Sequence, residues 1–262
     1  MTTMSELDPA LKWPGSKRWM IPRLREIYGK HRHRRLVEPF VGSMAVALGL
    51  NPDHALLQDV NPHLVNFHTR LCDPKPFQIE MENTETLYYG YRKAFNELVA
   101  RGMQNTQAAA EIFYYLNRTG FNGLCRFNAS GEYNVPYGKY DSINYRRDFS
   151  EYAPVVRRWE LWCGGFETIL TEPNDFVYLD PPYDDTFTDY SAGGFSWRDQ
   201  IWLAKIYANH PGPVVASNQA TERVMQLYRD LGFKIERIEA PRMISSDGNR
   251  EPALEMFATK NV

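Results

Sequence analysis

Four short runs in this chain are apolar at nearly every position: Leu36-Val37-Glu38-Pro39-Phe40, Ala55-Leu56-Leu57-Gln58-Asp59, Phe176-Val177-Tyr178-Leu179 and Pro213-Val214-Val215-Ala216-Ser217. A strand covered on both faces has that pattern, whereas a strand with one wet face alternates. Between the first two runs, Ser43 to Leu50 is small and apolar enough for a helix. Strands alternating with helices predict a parallel α/β sheet. The middle of the chain changes period. Thr84 to Met103 and Thr106 to Asn117 carry helical spacing, with Tyr88, Tyr91, Phe95 and Leu98 near one face. Thr119 to Tyr140 is rich in glycine and asparagine. Within it, Cys125 to Asn128, a turn at Ala129-Ser130-Gly131, and Glu132 to Val135 predict a hairpin. Residues 70–145 therefore read as a mostly helical insertion, carrying that hairpin, in a core made of 1–69 and 146–262. Phe233 to Glu239 and Leu254 to Ala258 predict a final antiparallel pair.

Each acid or glycine of interest sits where one of these runs ends. Glu38-Pro39-Phe40-Val41-Gly42-Ser43 closes a strand and opens a helix, and Asp59 ends the next strand. In open α/β sheets ligands bind outside the carboxyl ends of strands, and an acid there suits a ribose diol. A structural turn and a helix cap would leave the same trace, and a dinucleotide would suit the pair as well as a nucleoside. Lys12-Trp13-Pro14-Gly15-Ser16-Lys17-Arg18 is a turn flanked by lysines. Asn117 to Asn128 interleaves Arg and Asn, the side chains suited to guanine and adenine edges. Asp180-Pro181-Pro182-Tyr183 follows a buried run directly. Its prolines remove backbone donors, so a carboxylate and a carbonyl can accept from one amino group while the tyrosine ring stacks on a flat base. Asp184 to Phe195 reads as a polar loop or lid.

Composition narrows the classes. No apolar run approaches the roughly 18 residues of a membrane span, and the opening residues lack an export-signal pattern. Cys72, Cys125 and Cys163 lie far apart without metal-ligand spacing, as in a reduced, cytosolic protein, and no metal is expected. A net charge of −2 argues mildly against a nucleic-acid binder. The charge is uneven, however. Arg118, Arg126, Lys139, Arg146 and Arg147 face only Glu132 and Asp141 over that stretch. His31-Arg32-His33-Arg34-Arg35 is a second basic cluster, read as ordinary surface.

Taken in order from Lys12 to Thr259, these stretches resemble the adenine-N6 DNA methyltransferases of the Dam type. The most specific match is Asn-Arg-x-Gly-Phe-Asn-Gly-Leu-Cys-Arg-Phe-Asn with Gly-Glu-Tyr-Asn-Val-Pro-Tyr-Gly-Lys-Tyr, between Asn117 and Tyr140. The resemblance implies a Rossmann-like core with a helical target-recognition insertion, using S-adenosyl-L-methionine. It implies methylation of an adenine flipped out of double-stranded DNA, in GATC, in the cytoplasm of a bacterium or a phage-infected cell, with no membrane and no obligate protein partner. By position it assigns Asp180, Pro181 and Tyr183 to catalysis. It assigns Trp13, Lys17, Phe40, Gly42, Asp59 and Asp180 to the cofactor. Lys12, Leu124, Arg126, Pro136 and Tyr140 match residues that read bases, and Phe121 and Asn122 those that hold the duplex open. Ile244 to Gly248 resembles the family's C-terminal turn. Met44 departs from the family's Gly-x-Gly, so crowding is expected there, and the segment after Tyr183 is short. Competing readings are relaxed or different site choice, a cytosine-N4 or RNA substrate, and a binding-only protein. A nicotinamide oxidoreductase is disfavoured because no Gly-x-Gly-x-x-Gly loop is present.

Overall fold

A computed structural model describes residues 7–73, 75–183, 194–240 and 253–262. Its elements run β1 (Leu36–Glu38), β2 (Ala55–Asp59), β3 (Trp159–Cys163), β4 (Phe176–Leu179), β5 (Val214–Gln219), β6 (Lys234–Ala240) and β7 (Ala253–Lys260). The helices are α1 (Ile21–Gly29), α2 (Ala45–Leu50), α3 (Pro62–Arg70), α4 (Glu85–Ala100), α5 (Gln107–Thr119), α6 (Ala153–Val156), α7 (Trp197–Ala208) and α8 (Glu222–Asp230). One sheet holds all seven strands in the order β3-β2-β1-β4-β5-β7-β6. The first five pair in parallel, and β7 inserts antiparallel between β5 and β6. The architecture is Rossmann-like, α/β with a parallel core. The strand order reverses between β1 and β4, which opens the crevice where such sheets take ligands.

The continuous apolar runs have a direct cause. Leu36, Leu57, Phe176, Tyr178 and Val215 join one core, with α1, α3 and α5 over them. Val37, Leu56, Val177, Leu179, Val214 and Ala216 join the other, with α7 and α8. Each strand is thus covered on both faces. The predicted final pair is β6 with β7. β3 escaped prediction because it is an edge strand whose Trp162 and Cys163 are exposed. Its apolar positions are too few to mark it.

Helix starts follow capping chemistry. Thr84, Thr106 and Thr221 accept from backbone N–H groups of α4, α5 and α8, and Asn61 caps α3 ahead of Pro62. Ser196 and Asp199 form a reciprocal box on α7. Each such cap is worth about 1 kcal/mol. Met44 explains the departure noted above. Its φ of 64° is left-handed, a conformation that glycine adopts without strain, yet its side chain is fully buried in the core. Burial of about 1.5–3 kcal/mol offsets the roughly 1–2 kcal/mol of backbone strain.

The basic cluster at 31–35 sits at the amino-terminal end of β1, away from the crevice. Arg35 makes a forked contact with buried Asp175 at 2.8 and 3.0 Å, and Arg34 donates to the Asn174 carbonyl. Those bonds tie β1 to the start of β4. The proposed C-terminal turn (Ile244 to Gly248) and most of the Asp184–Phe195 loop lie outside the described residues.

Candidate active site and nucleic-acid interface

The crest of β1 is pinned from three sides. The Gly42 N–H donates to Asp59 Oδ2 at 3.1 Å, and its carbonyl bonds to a His68 ring nitrogen at 2.7 Å. Trp13 covers the loop so closely that a Cβ on Gly42 would meet the indole nitrogen at 3.0 Å. Asp59 also accepts from the Asn61 N–H through Oδ1 at 3.0 Å. A carboxylate has about four acceptor positions, so both oxygens keep capacity for a diol. Phe40 packs with Phe166 and, edge-on, with Phe195, at centroid distances of 5.9 and 5.6 Å.

Burial pushes the Asp59 carboxyl from 3.8 up to about 6, against three backbone N–H groups that favour the anion. A folded chain that holds this proton more tightly than the unfolded one pays for ionisation. That cost is absent below about pH 4 and fully present above about pH 6. Asp59→Asn cannot ionise, so we expect it to raise the melting temperature more at about pH 8 than at about pH 4. An equal shift at the two pH values, measured by thermal unfolding, would remove burial as the cause.

The crest of β4 carries the second half. Asp180 Oδ1 accepts from Lys17 Nζ and from Ser217 Oγ, each at 2.9 Å. Among the described residues no donor reaches Oδ2. The carboxylate is thus clamped by one oxygen and offers the other. Lys17 is almost fully buried; its ammonium also donates to the Gly15 carbonyl at 2.9 Å and lies 5.1 Å from the centre of the Tyr183 ring. Behind Ser217 stands the Tyr178 hydroxyl at 2.8 Å. Gln200 donates to the Pro182 carbonyl at 2.7 Å and is itself held by Asn218 at 3.0 Å. The Pro182 carbonyl thus has an internal donor. Tyr183 is largely buried, and burial, then Asp180 and Glu255, push its phenol well up.

Glu38, Ser217, Gln200, Asn218 and Glu255 were not foreseen as site residues. Glu38 is buried with Oε1 unpartnered, and burial, then Asp180, push its carboxyl up. The polar Ser217-Asn218-Gln219 closing an apolar strand was a usable signal.

The expected hairpin is present but irregular. Phe127 bridges Tyr133, the Asn134 N–H donates to the Arg126 carbonyl at 3.1 Å, and an Asn128–Gly131 turn closes it. Asn61 donates to Cys125, and His63 stacks on Phe127 at 5.0 Å, so the hairpin base rests on α3. Lys12 is stitched to Asn117 in both directions at 2.8 Å. Its ammonium donates to the Arg118 carbonyl and lies 3.9 Å from the centre of the Tyr140 ring. Burial, then Arg118, bring its pKa down to about 8. The Tyr140 hydroxyl donates to the Gly120 carbonyl, and the Phe121 N–H to that of Pro136. Lys12, Phe121, Asn122, Pro136 and Tyr140 are thereby gathered around Gly120, with Phe121 and Pro136 exposed and Asn122 at a left-handed φ of 52°. Leu124 is half-buried beside them. Arg126 stands farther along the hairpin, exposed, its guanidinium held by Asn134 at 2.8 Å.

A family model and several curated proteins match most of the chain. A model of the D12 class N6 adenine-specific DNA methyltransferases matches residues 13–244. The chain is 36% identical to the retron Ec67 DNA adenine methylase of Escherichia coli, over 96% of this chain and 91% of that one. It is 34% identical to a DNA adenine methylase of Vibrio cholerae, over 91% and 90%. It is 32% identical to the type II methyltransferase M1.LlaDCHI of Lactococcus lactis, over 90% and 89%.

Proposed function

Because this chain belongs to the D12 class of N6 adenine-specific DNA methyltransferases, we propose that it methylates an adenine flipped out of double-stranded DNA, within GATC, using S-adenosyl-L-methionine. The observation that carries the mechanism is Asp180, clamped through Oδ1 by Lys17 and Ser217 with Oδ2 left to accept. Residues 1–69 and 146–262 form the catalytic core in this reading, and 70–145 recognise the target.

The site suits a cationic cofactor. Asp180 and Glu255 flank the ammonium of Lys17, and Glu38, buried and within electrostatic reach of Asp180, keeps one oxygen unpartnered. Trp13, Lys17, Phe40, Gly42 and Asp59 would hold the cofactor, with Asp59 toward a ribose. When bound, it supplies an electrophilic methyl on a positively charged sulfur. Asp180 Oδ2 and the Pro181 carbonyl accept from the adenine amino group, which draws the nitrogen lone pair out of the ring and aims it. Tyr183 stacks on the flipped base, offsetting the few kcal/mol of unpairing. As N6 becomes positively charged, the Asp180 carboxylate stabilises it from a fixed position, with no reorganisation at the moment of transfer.

Lys12, Leu124, Arg126, Pro136 and Tyr140 read the surrounding bases, and Phe121 and Asn122 occupy the opened duplex. Arg126→Ala is expected to cost about 1–3 kcal/mol and to relax the choice at one base pair. Binding to sites altered singly at each position checks this; equal loss on every sequence would make Arg126 a phosphate contact instead. Sequencing base modifications in a plasmid, carried with this gene in a host lacking adenine methylation, tests the whole reading. N6-methyladenine confined to GATC supports it. Methyladenine in many contexts removes the specificity, and an unmodified plasmid with folded protein removes the DNA substrate.

A further inference from the structure

We infer that Glu255 is a positioning residue for methyl transfer, one that shares the Lys17 ammonium with Asp180. The inference rests on the reading of the site given above. Glu255 comes from β7, opposite Gln219 of β5, and is nearly buried. Its Oε2 lies 3.9 Å from Lys17 Nζ. Two of the three Lys17 protons are committed at 2.9 Å, to the Gly15 carbonyl and to Asp180 Oδ1. At 3.9 Å the third contact is an ion pair rather than a hydrogen bond.

This arrangement has an electrostatic consequence. Lys17 and Asp180 alone would be a neutral pair, with the ammonium field drawn onto the carboxylate that must accept from the substrate. A second carboxylate, 3.9 Å from Lys17 Nζ, takes up part of that field. The cluster then carries net negative charge, and Asp180 Oδ2 stays a strong acceptor as N6 turns cationic. A charged residue between Leu254 and Met256, turned inward on a strand of the sheet, contributes little to stability by itself. Its place beside Lys17 gives it a purpose.

Glu255→Gln keeps the shape and removes the charge. Steady-state methylation of a DNA duplex, with circular dichroism and thermal unfolding alongside, reads the result. The expected outcome is a kcat lowered about 10- to 100-fold, the range for residues that orient a reacting group. KM for DNA and for S-adenosyl-L-methionine should change far less, because the interaction matters in the transition state. Ser217→Ala supplies the second arm, since Ser217 holds the same Asp180 oxygen. The two losses should be non-additive in the double variant, as for groups acting through one partner. A kcat close to wild type overturns the inference. So does a loss that multiplies independently with that of Ser217→Ala and tracks a fall in melting temperature. Wild-type protein that folds but leaves DNA adenine unmodified overturns the functional reading first, and the role of Glu255 falls with it.

Discussion

Asp180→Asn is expected to lower turnover by about 10²–10³-fold, the usual loss when one preorganised charge-stabilising contact is removed, in a protein that folds and still binds DNA. The size follows from the clamp. Lys17 and Ser217 both donate to Oδ1, so an asparagine in this position must turn its carbonyl toward them. Its NH₂ group then occupies the place of Oδ2 and confronts the adenine amino group, donor against donor. The substitution therefore replaces attraction by repulsion at the reacting nitrogen, besides losing a charge. Single-turnover methylation at saturating DNA measures it, with thermal unfolding as the control for fold. Turnover near wild type would remove Asp180 from the chemistry.

The second large effect falls on stability. Lys17→Met should destabilise the protein by about 3–5 kcal/mol, because it breaks a buried ion pair from one side. Two acids, Asp180 and Glu255, would then face each other without their shared cation. The effect should depend on pH with a defined sign. Burial already pushes the Glu255 carboxyl up, and the Lys17 ammonium opposes that rise. Without Lys17, the folded state holds the Glu255 proton more tightly still. The deficit against wild type is thus largest at alkaline pH and shrinks as Glu255 protonates. Urea unfolding at about pH 8 and about pH 5 checks this; a deficit independent of pH would mean that lost packing, not lost charge, is responsible.

What could be seen in the sequence had a physical reason to be visible. β1, β2, β4 and β5 are covered on both faces, and such strands write themselves as unbroken apolar runs. Gly42 and Asp59 stood out because they end two of those strands, and they proved to be hydrogen-bonded to each other. The hairpin announced itself through its Asn128–Gly131 turn, though only resemblance suggested what it reads. β3 left no such mark, since an exposed edge buries little. The props of the site were hidden for another reason. Ser217 reaches Asp180, Asn218 reaches Gln200 and Glu255 reaches Lys17 across separate elements. The polar Ser217-Asn218-Gln219 end of β5 marks a polar spot, but no local pattern encodes which partners it meets once the sheet has closed.

The stitching of Lys12 to Asn117 bears on how such enzymes could be re-engineered. Residues 70–145 look like a transplantable cassette on a sequence diagram. In the folded chain, the backbone of Lys12 is paired in both directions with Asn117, and a Cβ on Gly123 would collide with the Lys12 side chain. Five residues later the same ribbon delivers Lys17 to Asp180. A graft that moved residues 70–145 alone would leave Asn117 and Gly123 facing a foreign amino-terminal ribbon. The exchangeable unit includes the amino-terminal ribbon, and chimeras should be cut after Lys17 rather than at residue 70.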